Sequence, residues 1–320
     1  MNLERNIMGS GKSGIRILPL SEVVMSADEL RDEEERTREA QRIADEERAK
    51  APQHNSSNPV PDSNANSLSS KDIPLVSIES GKPESYIILP AGNYGGRDYP
   101  DLLIGMNRIS YTDKRVQNAA GKLYPQQQFS DNDRGFMGGI NHQQALDITR
   151  ELGGFTLSVL LEREFIRNLK KGIDTNFKVF DGSGKRVASN ILSGIYDEIL
   201  KVQNPWRSEW NADRFSNANG TMNTTTYIFD NENLKEVTEL LSADYLVQNK
   251  QVKLIDWINK STVHGLPLAD CKDGSFYYWA PVNGSVVGFV AGSGGANLGC
   301  DGGPTGAGSS LGVREARKKF

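Results

Sequence analysis

A run of charged side chains near the start of the chain is the feature that most limits what the chain can fold into. Sixteen of the twenty-three residues in the range 28–50 are acidic or basic, and large apolar side chains are almost absent from it. Ser26 and Glu29 have the spacing of a helical capping box, and Pro52 disfavours helical geometry at the residue before it. Acidic residues repeatedly stand four positions before basic ones, an order that stabilises an isolated helix by roughly 0.2–0.5 kcal/mol per pair. The sequence therefore predicts a solvated helical stalk over residues 26–51.

One side of this helix carries a thin line of small side chains. Leu30, Thr37 and Ala44 fall seven residues apart, and Ala40 lies between them. A seven-residue repeat places side chains along one seam, where parallel helices can contact each other. We therefore expect Leu30, Thr37, Ala40 and Ala44 to form the seam of a coiled coil, with a single solvated helix as the alternative.

Two segments without helical periodicity flank the charged helix. Residues 1–25 form a mixed leader, and residues 52–70 have the Pro, Ser and Asn content of a flexible linker, which as a random coil spans roughly 24 Å. The leader contains GSGKSG (9–14), but Asn6 stands where a phosphate-binding loop needs its first glycine. We therefore expect no nucleotide site there. The leader also has no continuous apolar block, so we expect no secretory signal.

From residue 71 to residue 320 the sequence has the pattern of one globular domain. Apolar positions at helical spacing predict helices at 142–154 and 158–172, both ended by glycine, and a third helix at 234–247. Short apolar runs bounded by Gly and Pro predict strands over six further segments: 84–92, 101–106, 252–258, 274–282, 285–293 and 311–316. Helices come early and strands come late, an order that predicts an α+β fold.

The composition limits the classes of partner and cofactor. A net charge of −4 argues against a nucleic-acid-binding protein, which usually has a strongly basic surface. No apolar stretch has the length of a membrane span, so we expect no membrane insertion. The three histidines, His54, His142 and His264, have no metal-ligand spacing, and Asp131 and Asp133 match only half of a calcium loop. We therefore expect no metal and no cofactor, and we interpret the segment around Asp131 as a polar turn.

The chain has two cysteines, Cys271 and Cys300, which are too few for a disulfide framework. They can form one bridge or remain free thiols, and the sequence leaves both possibilities open. No Gly-x-Ser-x-Gly motif and no local nucleophile–base arrangement accompanies them.

Aromatic and glycine-rich segments late in the chain indicate a binding surface. In GSFYYWAPV, strand alternation places Tyr277 and Trp279 on one face and Tyr278 on the other. Core packing explains at least one of these faces, and a surface for sugar rings or for a partner protein is the alternative for the other. Glycines across residues 284–310 permit unusual backbone shapes beside short polar side chains. The candidate ligand-binding residues are Tyr277, Trp279, Asn283, Asn297 and Asp301.

A resemblance to bacteriophage fibre and appendage proteins lies in the charged helix. Their Glu/Arg/Ala-rich N-terminal stalks are similar to the segment EEERTREAQRIADEERAKA. The resemblance implies a structural component of a virion, a head (capsid) or tail fibre, usually a homotrimer, that is made in the host cytoplasm. It also implies a distal domain that faces a host glycan or protein, or another fibre protein. The leader would anchor the chain to capsid or tail proteins through its apolar residues, which are Ile7, Ile15, Ile17, Leu18 and Leu20.

A second resemblance covers residues 85–320. The formylglycine-generating, sulfatase-modifying family has segments similar to NHQQALDITRELGGFTLSVLLEREFI (141–166) and GPTGAGSSLGVREAR (303–317). This resemblance implies a C-type-lectin-like fold. The chain departs from the family's reactive cysteine pair, because Cys300 has no second cysteine beside it. We therefore expect the scaffold without the enzyme activity, and an enzyme on that scaffold and a bacterial surface adhesin are the alternatives.

Overall fold

The computed structural model describes residues 69–73, 82–203, 206–230 and 233–320. Several predictions lie outside these residues: the anchoring leader, the capped charged helix, its seven-residue seam and most of the flexible linker. The first described strand begins at Ser69, so the last two residues of the predicted linker belong to a sheet.

The described part of the chain is a mixed α+β structure, as the sequence predicts. It contains five α-helices: α1 Lys114–Leu123, α2 His142–Glu151, α3 Val159–Asp174, α4 Ser189–Leu200 and α5 Leu254–Asn259. Its early strands are β1 Ser69–Ile73, β2 Tyr86–Leu89, β3 Gly92–Tyr94, β4 Arg97–Tyr99, β5 Leu102–Gly105 and β6 Phe155–Thr156. Its later strands are β7 Arg207–Ala218, β8 Thr221–Asp230, β9 Asn233–Leu240, β10 Lys250–Val252, β11 Phe276–Trp279, β12 Val286–Gly292, β13 Gly295–Gly302, β14 Leu311–Val313 and β15 Glu315–Lys318.

Within the described residues, the strands form one large sheet and two small ones. The large sheet has nine strands in the order β1-β9-β8-β7-β12-β13-β11-β10, with β14 also paired to β7. Most neighbours are antiparallel, but β11 is parallel to β13 and β14 is parallel to β7. A four-stranded sheet has the order β2-β5-β15-β6, and β3 and β4 form a hairpin. Because only Arg314 separates β14 from β15, the end of the chain joins the two larger sheets.

An aromatic core supports one face of β11, β12 and β13. Trp257 of α5 stacks on Phe276 of β11 with 4.9 Å between ring centroids, and its centroid lies 6.0 Å from that of Phe289 of β12. Leu298 and Cys300 of β13 are buried on the same side. Successive side chains of a strand point to opposite faces, so the residues between these buried ones face away from the core.

Helix α3 lies within the core, and its first turn is capped from two directions. Ser158 Oγ accepts a hydrogen bond from the backbone N–H of Leu161 at 3.4 Å. Asp213, from β7, accepts one from the backbone N–H of Val159 at 2.7 Å. The first N–H groups of a helix have no partner within the helix, so these acceptors stabilise its buried start.

A cluster of buried charges joins α3 and α4 to β7 and the C-terminal strands. Arg207 pairs with Glu209 at 2.8 Å and with Glu198 at 3.1 Å. Arg314 pairs with the same two carboxylates, at 3.1 Å from Glu198 and 3.4 Å from Glu209. Glu162 of α3 is buried beside them, and burial together with the charge of Glu209 raises the pKa of Glu162 well above its ordinary value. Burial therefore favours the neutral form of the Glu162 carboxyl in this cluster.

The predicted helix at 234–247 is wrong. Its first part is strand β9, which pairs with β8 over eight residues from Asn233–Asp230 to Leu240–Asn223. The spacing of Leu234, Val237 and Leu241 is that of a helix, and all three are buried. The unpredicted β7–β8 hairpin offers this segment a long strand edge, and pairing with that edge overrides the local pattern.

Two predicted strands also differ from the structure. In the segment 252–258 the strand ends at Val252, and the following residues form α5, which buries Trp257 and Ile258. The segment 311–316 contains parts of two strands, β14 and β15, which belong to different sheets. In both cases an apolar run too short to show a period covers more than one element.

Candidate functional site

The face of β11 and β13 that points away from the core carries the aromatic residues predicted from the sequence. Tyr277 is 37% exposed and Trp279 is partly exposed, whereas Tyr278 between them is fully buried. This is the alternation that the sequence predicts. The rings of Tyr277 and Trp279 are nearly parallel, with 13° between their planes and 6.4 Å between their centroids. They therefore form one aromatic pair on one side of the sheet.

Strand register brings polar side chains and a glycine next to this pair. Asn297 lies opposite Tyr277, and Gly299 lies opposite Trp279. A β-carbon at position 299 would lie 3.9 Å from Asn297 Oδ1 and 3.8 Å from Asp301 Oδ1. The two side-chain oxygens thus lie above the bare backbone of Gly299, beside Trp279. We call Tyr277, Trp279, Asn297, Gly299 and Asp301 the Gly299 site.

A second tryptophan lies on the far side of this glycine. Gly299 pairs with Gly288 of β12, and Gly288 pairs with Trp210 of β7. Trp210 and Trp279 therefore stand in one line across four strands, with only glycines between them, and three strand spacings separate their backbones by roughly 14 Å. Trp210 is buried, and its indole N–H donates to the carbonyl oxygen of Ile140 at 2.8 Å. Burial and this hydrogen bond therefore hold the Trp210 ring in place beside Gly288.

Trp206 is a further aromatic residue on this face that sequence reasoning did not assign to the site. It is 58% exposed, and atoms of its ring lie 3.2 Å from where a β-carbon of Gly292 would be. Gly292 is two residues along β12 from Val290, which lies opposite Asn297, so its β-carbon direction is that of the Gly299 site. The glycine-rich end of β12 was the signal available in the sequence. This signal was not sufficient, because the sequence did not predict strand β7 and therefore did not indicate that Trp206 lies beside Gly292.

Asn283, the remaining predicted ligand-binding residue, lies on the turn between β11 and β12. Its Oδ1 accepts a hydrogen bond from the backbone N–H of Asn217 at 2.8 Å. Beside it, the N–H of Gly284 donates to the carbonyl oxygen of Phe215 at 2.9 Å. The structure therefore ties Asn283 to the β7–β8 hairpin instead of bringing it above Gly299.

Both cysteines are buried free thiols, so no disulfide joins Cys271 to Cys300. Burial raises the pKa of both thiols, most strongly that of Cys300, where the nearby carboxylates of Asp213 and Asp301 add to the effect. A reactive cysteine needs the opposite shift, because the thiolate is the nucleophile. The sulfur of Cys300 is therefore held as a packed thiol beneath the sheet.

The segment around Asp131 is a polar turn, as the sequence predicts. The carboxylate of Asp131 accepts hydrogen bonds from the hydroxyl of Ser110 and from the backbone N–H groups of Tyr111 and Thr112. In the described ranges no group of three or more His, Cys, Asp or Glu side chains could hold a metal ion. Asp131 therefore organises the start of the loop before α1.

A polar cleft of about 270 Å³ lies between the loop before α2 and the glycine-rich loop before β14. Its lining residues are uncharged: Gln128, Phe129, Ser130, Asn132, Gly138, Gly139, Ala307 and Ser309. Asn132 Nδ2 donates to the carbonyl oxygen of Ser309 at 2.9 Å, so one of its main polar groups already joins the two loops. The Gly299 site, by contrast, combines two aromatic rings with an amide and a carboxyl group.

Comparisons with protein-family models, with curated proteins and with solved structures found no match to this chain. Among the helices of the described residues, none is long and apolar enough to cross a membrane. What this chain does is therefore inferred from its own residues.

Proposed function

We propose that this chain is a virion fibre protein whose C-terminal domain binds a host-surface glycan at the Gly299 site. The observation that carries the binding role is the position of the aromatic pair, Tyr277 and Trp279, beside two side-chain oxygens above a bare glycine backbone. The fibre role rests on the resemblance of the charged segment 26–51, for which the sequence predicts a helix, to fibre stalks. The proposed C-type-lectin-like scaffold rests on the resemblance of residues 85–320, and its α+β class is compatible with the sheets and helices described above.

A pyranose ring has two kinds of surface, and the Gly299 site offers a partner for each. The C–H face of the ring is apolar and packs on aromatic rings such as those of Tyr277 and Trp279. The hydroxyls at its edge can donate to the side-chain oxygens of Asn297 and Asp301. Since Gly299 has no side chain, a ligand can approach the strand backbone closely. The site therefore suits a sugar bound face-on to the aromatic pair.

A partner protein is the other candidate occupant of such a surface. Stable protein interfaces bury about 800 Å² per partner, and charged residues are depleted from their centres. Here Asn297 and Asp301 stand at the centre of the site, next to the glycine, and the aromatic rings stand at its side. This arrangement favours a small polyhydroxylated ligand over a protein surface.

An enzyme of the formylglycine-generating type is the alternative from a different class. That chemistry requires a reactive thiolate, and burial raises the pKa of both Cys271 and Cys300. Replacing both cysteines with serine separates the two functions. Unchanged glycan binding by the double variant supports the binding role, whereas a thiol-dependent activity of the wild-type chain supports the enzyme.

Affinity electrophoresis tests glycan binding by the full-length chain. Native gels are cast with dextran, yeast mannan, galactomannan or xylan, and retardation is compared with that in an empty gel. We expect at least one polysaccharide to retard the wild-type chain, and the Trp279→Ala and Tyr277→Ala variants to lose most of the retardation. Phe177→Ala is the matched control, because Phe177 is 42% exposed and lies in the segment after α3. If the Trp279→Ala and Phe177→Ala variants behave alike, the Gly299 site is not the binding site.

The fibre role is tested by mass and by incorporation. We expect light scattering to give the full-length chain the mass of a homotrimer. An Ala40→Pro variant should have the mass of a monomer, because an interior proline lowers the stability of a helix by about 3 kcal/mol or more. A chain without residues 1–25 should remain folded but be absent from purified virions. A monomeric wild-type chain, together with normal incorporation of the truncated chain, would exclude a fibre of this design.

A further inference from the structure

We infer that Trp206 forms a second aromatic subsite, so that the face carrying the Gly299 site binds a glycan chain along about three sugar units instead of a single terminal sugar. This inference rests on the proposed glycan binding and adds the form of the ligand. It follows from the orientation of the Trp206 ring, from the glycine-rich turn between Trp206 and Tyr277, and from the distance between these two residues.

The indole ring of Trp206 is packed on one face and open on the other. A β-carbon of Gly292 would lie 3.2 Å from Cδ2 and Cε2 of Trp206 and 3.3 Å from its Cγ. A point that is equally distant from three atoms of a five-membered ring lies above the face of that ring, so the indole covers Gly292 with a face and not with an edge. The side chain is still 58% exposed. The opposite face of the indole is therefore available to a ligand.

The turn between β12 and β13 lies between this indole and the aromatic pair. Residues 292–295 have the sequence Gly-Ser-Gly-Gly, and Gly292 pairs with Gly295 across the turn. A β-carbon at Gly294 would lie 3.8 Å from Cε2 of Tyr277, so the tyrosine ring borders the turn on one side as Trp206 does on the other. Because glycines have no side chain, a ligand that passes from one ring to the other can approach the backbone of the turn closely.

The distance between the two aromatic groups sets the length of the ligand. Strand register places Trp206 and Tyr277 three strands apart and two residues apart along the strands. Their backbones are therefore separated by roughly 16 Å. One sugar ring on the aromatic pair cannot also reach the indole across this span. A chain of about three units can place one sugar on the pair, one over the turn and one on Trp206.

The bonds between the sugar units make the second contact favourable. Once one unit is bound at the Gly299 site, the rest of the chain is held close to Trp206, so the second contact is an intramolecular step. Stacking on an aromatic ring adds to the burial of apolar surface. We therefore expect the loss of the indole to weaken binding of a long chain about tenfold, with little effect on a chain too short to reach it.

The test uses matched glycans that differ only in length. In affinity electrophoresis of the full-length chain, free disaccharide or hexasaccharide of the same sugar and linkage competes with the retarding polysaccharide, for example isomaltose or isomaltohexaose with dextran, and xylobiose or xylohexaose with xylan. The quantity measured is the oligosaccharide concentration that halves the retardation. Trp206→Ala should raise this concentration at least about tenfold for the hexasaccharide and less than about twofold for the disaccharide. Trp279→Ala should weaken binding of both lengths.

Three further variants serve as controls. Trp206→Phe keeps a flat ring and should retain most of the hexasaccharide binding. Trp206→Leu covers Gly292 without an aromatic ring and should show the same length-dependent loss as Trp206→Ala, which keeps the test decisive if the alanine variant does not fold. Phe177→Ala removes an exposed aromatic ring in the segment after α3 and should change binding of neither length. Thermal unfolding of each variant separates loss of binding from loss of fold.

The outcomes separate this inference from the proposed function on which it rests. If folded Trp206 variants bind the hexasaccharide as the wild type does, while retardation still requires Trp279, the second subsite is overturned and glycan binding stays in place. An equal loss of disaccharide and hexasaccharide binding also overturns it, because Trp206 would then act on the same sugar as the aromatic pair. No retardation by any polysaccharide of the panel overturns the proposed glycan binding itself.

Discussion

The carboxylate of Asp213 on β7 accepts a hydrogen bond from the backbone N–H of Val159, the first residue of α3, with 2.7 Å between Oδ2 and N. The contact joins the large sheet to the helix that fills the core. Asp213 is fully buried, and this burial raises its pKa from 3.8 to about 6. This link between the sheet and the helix is therefore sensitive to pH.

Asp213 should make the protein less stable as pH rises from about 4 to about 6. Its folded pKa lies above its unfolded pKa, so its contribution is fully present below pH 3.8 and is lost as pH rises through about 6. The difference corresponds to roughly 3 kcal/mol. Asp213→Asn should remove this pH dependence, because the amide oxygen can still accept from Val159 but does not titrate. Urea unfolding of the wild type and the variant from pH 4 to pH 7 measures this pH dependence. Parallel profiles of the two proteins would show that Asp213 does not cause it.

His142 should have the opposite pH dependence. Its Nε2 donates to the carbonyl oxygen of Asn211 at 2.8 Å, its ring stands edge-on to Trp210, and burial lowers its pKa from 6.5 to about 4. Its contribution is therefore present above pH 6.5 and lost as pH falls through about 4, again by roughly 3 kcal/mol. His142→Gln should be destabilised relative to the wild type at pH 7 and should lose less stability on acidification. In plots of the free energy of unfolding against pH, we therefore expect the His142→Gln and Asp213→Asn variants to deviate from the wild type in opposite directions. Deviations in the same direction would contradict this prediction.

The two acidic residues at the centre of the charge cluster should respond very differently to substitution. Glu209 pairs with Arg207 and Arg314, whose positive charges hold its pKa below the ordinary value despite burial, whereas burial and the charge of Glu209 raise the pKa of Glu162. Glu162→Gln preserves a neutral side chain of the same shape, so its free energy of unfolding at pH 7 should lie within about 1 kcal/mol of the wild type. Glu209→Gln leaves buried cations without their partner and should cost about 3–5 kcal/mol. Equal losses in urea unfolding would show that Glu162 is ionised.

Gly299 allows the binding surface to be filled without disturbing the fold. A β-carbon at this position would meet Gly288 O at 3.5 Å and the oxygens of Asn297 and Asp301 at 3.8–3.9 Å, all ordinary contacts. Gly299→Ala should therefore keep or slightly raise the melting temperature, since alanine restricts the unfolded chain and is worth about 0.4–1 kcal/mol at a compatible site. The added methyl group would cover the exposed backbone of residue 299 between Asn297 and Asp301. It should therefore weaken the retardation of the chain by glycans. Gly303→Ala is the control, because a β-carbon there meets nothing within 4 Å.

Local sequence patterns predicted the elements whose signals depend on residues only a few positions apart. Helices α2 and α3 begin where the sequence predicts, because Asn141 and Ser158 cap them and their apolar stripes are long enough to show a helical period. The alternation of Tyr277 and Tyr278 was also predictable, because a period of two needs only the strand itself. Segment 234–247 shows where this method fails, because its helical spacing was overridden by pairing with β8.

The sequence by itself determined the α+β class, the opposite faces of Tyr277 and Tyr278, and the short polar side chains available to a ligand. Only the tertiary structure decided that Asn297 and Asp301 meet above Gly299 beside Trp279, that Trp206 shares this face, and that Asn283 does not. The tertiary structure also decided that the cysteines stay apart as buried thiols. The reason is physical: alternation and capping depend on residues a few positions apart, whereas the register of β11 on β13 and β12 depends on backbone hydrogen bonds between segments that no local period relates.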